Sequence, residues 1–197
     1  RRQTYTHNTG YLENDPVRGS DSFNAFEEVL KLGVEKEVDL ILLGGDLFHH
    51  NKPSRQTMHR TIAMLRKYCL GEGAVRFQIV SDQALNFKAN GGRVNFEDPN
   101  FAVQMPIFTI HGNHDDPTRA GGAGSLSAVD LVAACNLINY FGKADTVDNV
   151  EIAPVLIKKG DTKVALYGLG NVRDERLNRA WTQKNVKFLK DNNYNFI

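Results

Sequence analysis

The sequence predicts an α/β layered domain. Three observations carry this expectation. Short apolar runs alternate with stretches of helical period, the two most apolar runs stop abruptly in polar clusters, and no internal repeat interrupts the alternation. Residues 1–15 are polar and irregular, and they lack the apolar stretch of a signal peptide. Ser20-Asp21-Ser22 offers cap chemistry ahead of Phe23, Phe26, Val29, Leu30 and Val34, which recur with a helical period. The run 38–43, halted by Gly44-Gly45, reads as a strand buried on both faces. Pro53-Ser54 opens a second helix carrying Met58, Ile62, Leu65 and Cys69. Residues 71–104 are the least regular stretch, broken by Gly71, Gly73, Gly91 and Gly92, with strand-like alternation over 75–79. The run 106–110 is a second buried strand. Gly121 to Gly124 lead into a helix over 125–139, carrying Leu126, Val129, Leu131, Val132 and Ile138. Segments 150–157 and 164–169 read as a hairpin around 158–162, and a last helix starts at Asp174. Neither end of the sequence reads as the end of a domain.

Composition narrows the class. With 197 residues, 41% hydrophobic and 24% charged, the chain is long enough for a real core and too apolar for disorder. A formal net charge of +1 gives no electrostatic footprint for nucleic acid, so charge argues neither for nor against such a partner. Two isolated cysteines, Cys69 and Cys135, exclude a disulfide scaffold and favour a reducing intracellular compartment. No apolar run has the length of a membrane span, and no membrane partner is expected.

The chemistry lies in two polar clusters, Gly44 to His50 and His111 to Pro117, each directly after an apolar strand. Strand C-termini of a parallel sheet converge on one crevice, so these side chains are expected to meet. Asp46 offers carboxylate oxygen, Asn113 a carbonyl oxygen, and the histidines imidazole nitrogen, a mixed set that suits manganese, iron or zinc. The plainer alternative is a turn at Asp46 and a helix cap at 113–116. Two such clusters, each after a buried strand, favour the site.

Gly45-Asp46 and Gly112-Asn113-His114-Asp115 resemble the second and third motifs of the calcineurin-like metallophosphoesterases. The strings DPVRGSDSF (15–23), VDLILLGGDLFHHNKPSR (38–55), FTIHGNHDDPT (108–118) and VALYGLGNVRDERL (164–177) resemble its eukaryotic Mre-type branch, the nuclease of the double-strand-break repair and meiotic recombination complex. The resemblance covers about residues 10–197. It implies an N-terminal portion of a layered metallophosphoesterase sandwich, residues 71–104 being an insertion that engages an adaptor subunit. It makes Asp46 a carboxylate bridging two Mn2+ ions and Asn113 a ligand of one. His114 would protonate the leaving oxygen or stabilise the transition state, and His49 would influence DNA handling. For His50, His59 and His111 a satisfied or solvent-facing histidine is the better reading.

Two metals roughly 3.5–4 Å apart supply a hydroxide and offset charge on the entering and leaving oxygens of a phosphodiester. The implied partners are DNA, a second copy, an SMC-like ATPase subunit and a forkhead/BRCT adaptor, in the nucleus. Dimerisation would use a four-helix bundle seamed by Met58, Ile62, Leu65, Leu131 and Ile138. The first family motif is altered: alignment on Gly10 puts Thr6 at its aspartate and Asn8 at its histidine, with His7 out of register. The later motifs with three histidine ligands are not reached, so the chain by itself is expected to be inactive. A protein phosphatase is disfavoured, because Leu47 to Pro53 hold no aspartate–arginine–glycine stretch. A non-catalytic dimerising and adaptor-binding module is the alternative from another class.

Overall fold

A computed structural model describes residues 12–117, 125–144, 149–191 and 193–196. Thr6, His7 and Asn8, which bear on the first motif, lie outside the described residues. The elements in order are α1 (Asp21–Glu35), β1 (Ile41–Leu43), α2 (Arg55–Cys69), β2 (Gln78–Ile79), α3 (Gln83–Asn86) and β3 (Ile107–Thr109). They continue with α4 (Ala128–Ala134), β4 (Asn139–Tyr140), β5 (Val150–Ile152), β6 (Val155–Lys159), β7 (Thr162–Leu166), α5 (Asp174–Thr182), β8 (Val186–Phe188) and β9 (Asn195–Phe196).

Strand β3 organises the layers. It pairs in parallel with β1, Ile41 opposite Ile107, and with β4, Phe108 opposite Asn139. Side chains alternate across a strand, so its neighbours Ile107 and Phe108 enter different cores. Ile107 packs with Leu30, Leu65, Val129 and Val132 under α1, α2 and α4. Phe108 packs with Phe77, Phe87, Phe141, Val155 and Ile157 toward a second sheet, ordered β2-β6-β7-β9. The result is a helical layer on a parallel sheet, itself packed on a mixed sheet. In the second core the ring pairs are tilted or edge-on, at centroid separations from 5.2 Å (Phe77–Phe96) to 6.4 Å (Phe87–Phe141), the arrangement their quadrupoles favour.

Segment 71–104 is built into this second core through Phe77, Ile79, Phe87 and Val94. Three asparagines fasten it to the α4–β4 region. Asn90 donates to the carbonyls of Ala133 (3.0 Å) and Ile138 (2.7 Å). The Asn95 amide N–H donates to Asn139 Oδ1 at 2.7 Å, and Asn139 Nδ2 returns a bond to Asn95 Oδ1 at 2.9 Å.

Several elements differ from their sequence expectation, each for a local reason. Helix α4 ends at Ala134 rather than 139 because Asn136 turns left-handed (φ 56°). Leu137 N–H then bonds Val132 O, and Asn136 N–H bonds Ala133 O, a Schellman end. Ser20 makes no capping hydrogen bond, whereas Ser54 accepts from Thr57 N–H at 3.1 Å and caps α2 as expected. The hairpin is β6–β7 alone, with Lys159 opposite Thr162 and a two-residue turn, Gly160-Asp161; β5 pairs instead with β8. Strand β1 is not buried on both faces. It pairs on one side only among the described residues, and Leu42 is 47% exposed.

The expected dimer seam also needs correction. Leu65 and Ile138 are fully buried in the chain's own core, so neither is available to a second copy. Met58 and Ile62 are half-buried against that core, and Leu131 is 53% exposed.

Candidate active site

The ends of β1 and β3 bring the two polar clusters together, as parallel-strand geometry requires. Their backbones all but touch. A Cβ added at Gly45 (φ 101°) would lie 2.6 Å from Gly112 N, and one added at Gly112 would collide with Asp46 Oδ1. Both positions therefore demand glycine. Four described non-glycine residues have positive φ: Glu37, Asp46, Asn136 and Lys184. Glu37, Asn136 and Lys184 each follow the end of a helix, the usual place for such a residue. Asp46 (φ 54°) does not. Its backbone is held in a sparsely populated conformation to aim a carboxylate, a pattern associated with function.

The Asp46 side chain is exposed at a cleft of about 760 Å³, lined also by Phe23, Leu43, Phe48, His49 and His114. Its Oδ1 accepts the backbone N–H of His114 at 2.8 Å. No described residue bonds its Oδ2. Asn113 is exposed beside it and makes no side-chain hydrogen bond among the described residues. The His49 and His114 rings stack at 4.6 Å, and His50 meets His49 edge-on at 4.7 Å. Burial holds the His49 pKa below its ordinary value, the neighbouring imidazoles of His114 and His50 push the same way, and Asp46 opposes them. His49 is thus biased toward neutral imidazole, able to accept a proton or a metal.

Sequence reasoning missed the group that builds this site. Asp115 is completely buried, and its carboxylate accepts three backbone N–H bonds: Gly112 at 2.7 Å, Asp46 at 3.2 Å and Phe48 at 3.2 Å. One side chain therefore ties both loops to each other. Behind it, Tyr140 Oη lies 2.7 Å from His111 Nδ1, and His111 Nε2 lies 3.3 Å from Asn171 O. Asn171 Nδ2 donates to Asp116 Oδ2 at 3.1 Å, and Asn51 Nδ2 to Asp116 O at 2.7 Å. His111 is a satisfied buried histidine, its pKa pulled down mainly by desolvation.

A divalent metal fits these residues only in part. Asp46 Oδ2 and the Asn113 amide are exposed oxygen donors of the right chemistry. Among the described residues, however, no three His, Cys, Asp or Glu side chains are grouped to hold a metal ion. The described residues thus offer two exposed oxygen donors and no enclosed metal site.

Two glycine-tipped loops meet at parallel strand ends, one presenting the Asp46 carboxylate to the cleft and the other placing His114 on its wall, the form of a phosphoesterase-type site. The sequence model of the calcineurin-like phosphoesterase family matches residues 6–196, and the chain belongs to that family. It is similar to proteins named double-strand break repair protein MRE11. The one from Oryza sativa subsp. indica is 59% identical over 176 residues, covering 87% of this chain and 24% of the relative. That from Arabidopsis thaliana is 56% identical over the same shares, and that from Homo sapiens 50% over 182 residues, 92% of this chain and 25% of the relative. The chain thus spans about a quarter of the length of these relatives. The family resemblance and the α/β class read from the sequence are both borne out.

Proposed function

We propose that this chain is the N-terminal part of a manganese-dependent DNA endo/exonuclease domain acting in double-strand-break repair in the nucleus. The observation that carries the reading is Asp46, held at positive φ with one carboxylate oxygen bonded by no described residue at the cleft, which the stacked His49 and His114 also line. Asp46 would bridge two metal ions and Asn113 would ligate one. Such a pair supplies hydroxide at neutral pH and offsets charge on the entering and leaving oxygens. The chain's own part is to orient the phosphodiester along this wall, with His114 as proton donor to the leaving oxygen and His49 stacked against it. Partners of such a domain would be DNA, a second copy, an SMC-like ATPase and a forkhead/BRCT adaptor, the adaptor engaging residues 71–104. The test is a chimera in which this chain replaces the matching segment of the rice relative. It is expected to cleave hairpin DNA with manganese and to leave a phosphopeptide intact; preference for the phosphopeptide overturns the reading.

Residues 1–197 alone are expected to show no metal-dependent cleavage. Among the described residues one carboxylate and one neutral amide leave most of the coordination of two dications to water, which does not fix the spacing that in-line displacement needs. The assay is purified 1–197 with manganese on single-stranded and hairpin DNA. Cleavage that Asp46→Ala abolishes would show that the chain assembles a working centre by itself.

The alternative, a dimerising and adaptor-binding module, draws on Leu131, 53% exposed on α4, with Leu126 nearby at 60%. The corrected seam is Met58, Ile62 and Leu131. Wild type is expected to sediment as a dimer and Leu131→Asp as a monomer, since a charge in an apolar seam is strongly disfavoured. Monomers in both cases would remove the seam.

A further inference from the structure

The loop 111–117 faces two cavities. His114 lines the cleft of Asp46, whereas His111, Asp116 and Pro117 line a separate hollow of about 200 Å³. Three cationic side chains rim this second hollow: Lys143, Arg173 and Arg176. Lys143 is steadied by Asp130, Nζ to Oδ1 at 3.2 Å. Arg173 and Arg176 have no hydrogen bond or ion pair from their side chains to any described residue. Among the described residues the lining holds a single carboxylate, Asp116, which accepts from Asn171 at 3.1 Å.

The walls are fixed rather than loose. Asn171 N–H donates to His111 O at 3.1 Å, and Gly170 N–H donates to Gly142 O at 2.8 Å. A Cβ at Gly170 would collide with the His111 ring, so the loop before α5 lies directly on the loop that carries Asn113 and His114. Three cations and one engaged carboxylate converge on a hollow wide enough for a tetrahedral oxyanion. Guanidinium forks match its oxygens in pairs.

We propose that this hollow is a second phosphate subsite, holding a backbone phosphate of a nucleic-acid strand that flanks the phosphate presented to Asp46 and His114. The inference rests on the nuclease reading and extends it. A strand crossing the 111–117 loop sets one phosphodiester at the Asp46 cleft and a neighbour between Arg173, Arg176 and Lys143. Contact is to phosphate alone, so the subsite positions the strand without reading its sequence.

The test is binding of a labelled single-stranded oligonucleotide to the 197-residue chain in metal-free buffer with EDTA, by anisotropy over a salt series. Arg173→Gln/Arg176→Gln is compared with wild type and with Lys36→Gln, an exposed charge removal at the far end of α1. All are first matched by far-UV circular dichroism. The double variant is expected to bind about fivefold more weakly at low salt, and its log–log salt slope to fall by about 0.7, the contribution of one single-strand phosphate. Lys36→Gln is expected to keep the wild-type slope. A double variant indistinguishable from Lys36→Gln overturns the subsite while leaving the nuclease reading standing. Wild type that binds no oligonucleotide overturns the subsite, and the chimera's cleavage assay judges the nuclease reading separately. Inorganic phosphate alone is the remaining arm. If it raises the melting temperature of wild type but not of the double variant, while oligonucleotide slopes stay equal, the hollow takes free oxyanions and the nucleic-acid proposal fails.

Discussion

Asp115→Ala is expected to lower the unfolding free energy of the chain by about 4 kcal/mol, because it strands three backbone donors, one buried and two partly buried, each costing roughly 1–3 kcal/mol when unsatisfied. The donors are the amides of Asp46, Phe48 and Gly112, which belong to loops far apart in the chain. Asp115→Asn is the informative companion. Its amide oxygen can keep the two bonds now made to Oδ1, from Asp46 and Gly112, while its NH2 group meets the Phe48 N–H as donor against donor. A loss of about 2 kcal/mol is therefore expected, between alanine and wild type. Urea unfolding measures both. A loss under about 1 kcal/mol for alanine would mean that water replaces the carboxylate and that Asp115 does not brace the site.

The second large effect concerns chemistry rather than stability. In the rice chimera, Asp46→Ala is expected to depress manganese-dependent DNA cleavage by more than about 100-fold, since even groups behind the ligands typically cost 10–100-fold when removed. Stability should hold, because the Asp46 side chain is exposed and, among the described residues, accepts a single hydrogen bond, from His114 N–H. An unfolding curve beside the cleavage rate separates the two. Cleavage within a few-fold of the parent would remove Asp46 from the metal centre.

Much of the architecture was legible because its signals are local. The helical periods of α1 and α2, the apolar runs of β1 and β3 and the Ser54 cap depend on neighbours in sequence, and they stand where periodicity put them. The crossing of Gly45 and Gly112 followed from parallel-strand geometry once both runs were read as strands. What escaped was set by tertiary contact. The early end of α4 depends on Asn136 adopting a left-handed conformation, which an apolar count over 125–139 does not register. Leu65 and Ile138 have the spacing of a helix seam and the burial of a core, and periodicity cannot separate these. In the sequence Asp115 is a member of the 112–115 motif without a role of its own; a carboxylate serving three amides from two distant loops has no sequence pattern. The rim of Lys143, Arg173 and Arg176 is likewise assembled from separate segments, and a net charge of +1 conceals it.

The pairing of β1 with β3 carries a consequence for how the chain reaches this state. Ile41 must find Ile107 and Gln78 must find Lys158, so the sheets close across dozens of intervening residues. Such distant pairing folds slowly, because the entropy of closing the loop is lost before the contacts form. During synthesis β1 emerges with its apolar side chains and waits for its β3 partner to leave the ribosome. The carboxylate of Asp115 follows β3 by only a few residues, so strand pairing and site assembly are completed almost together. A nascent chain stalled before residue 107 would expose an open strand edge and recruit chaperones, whereas one stalled beyond Asp115 would have the loops of Gly45 and Gly112 joined.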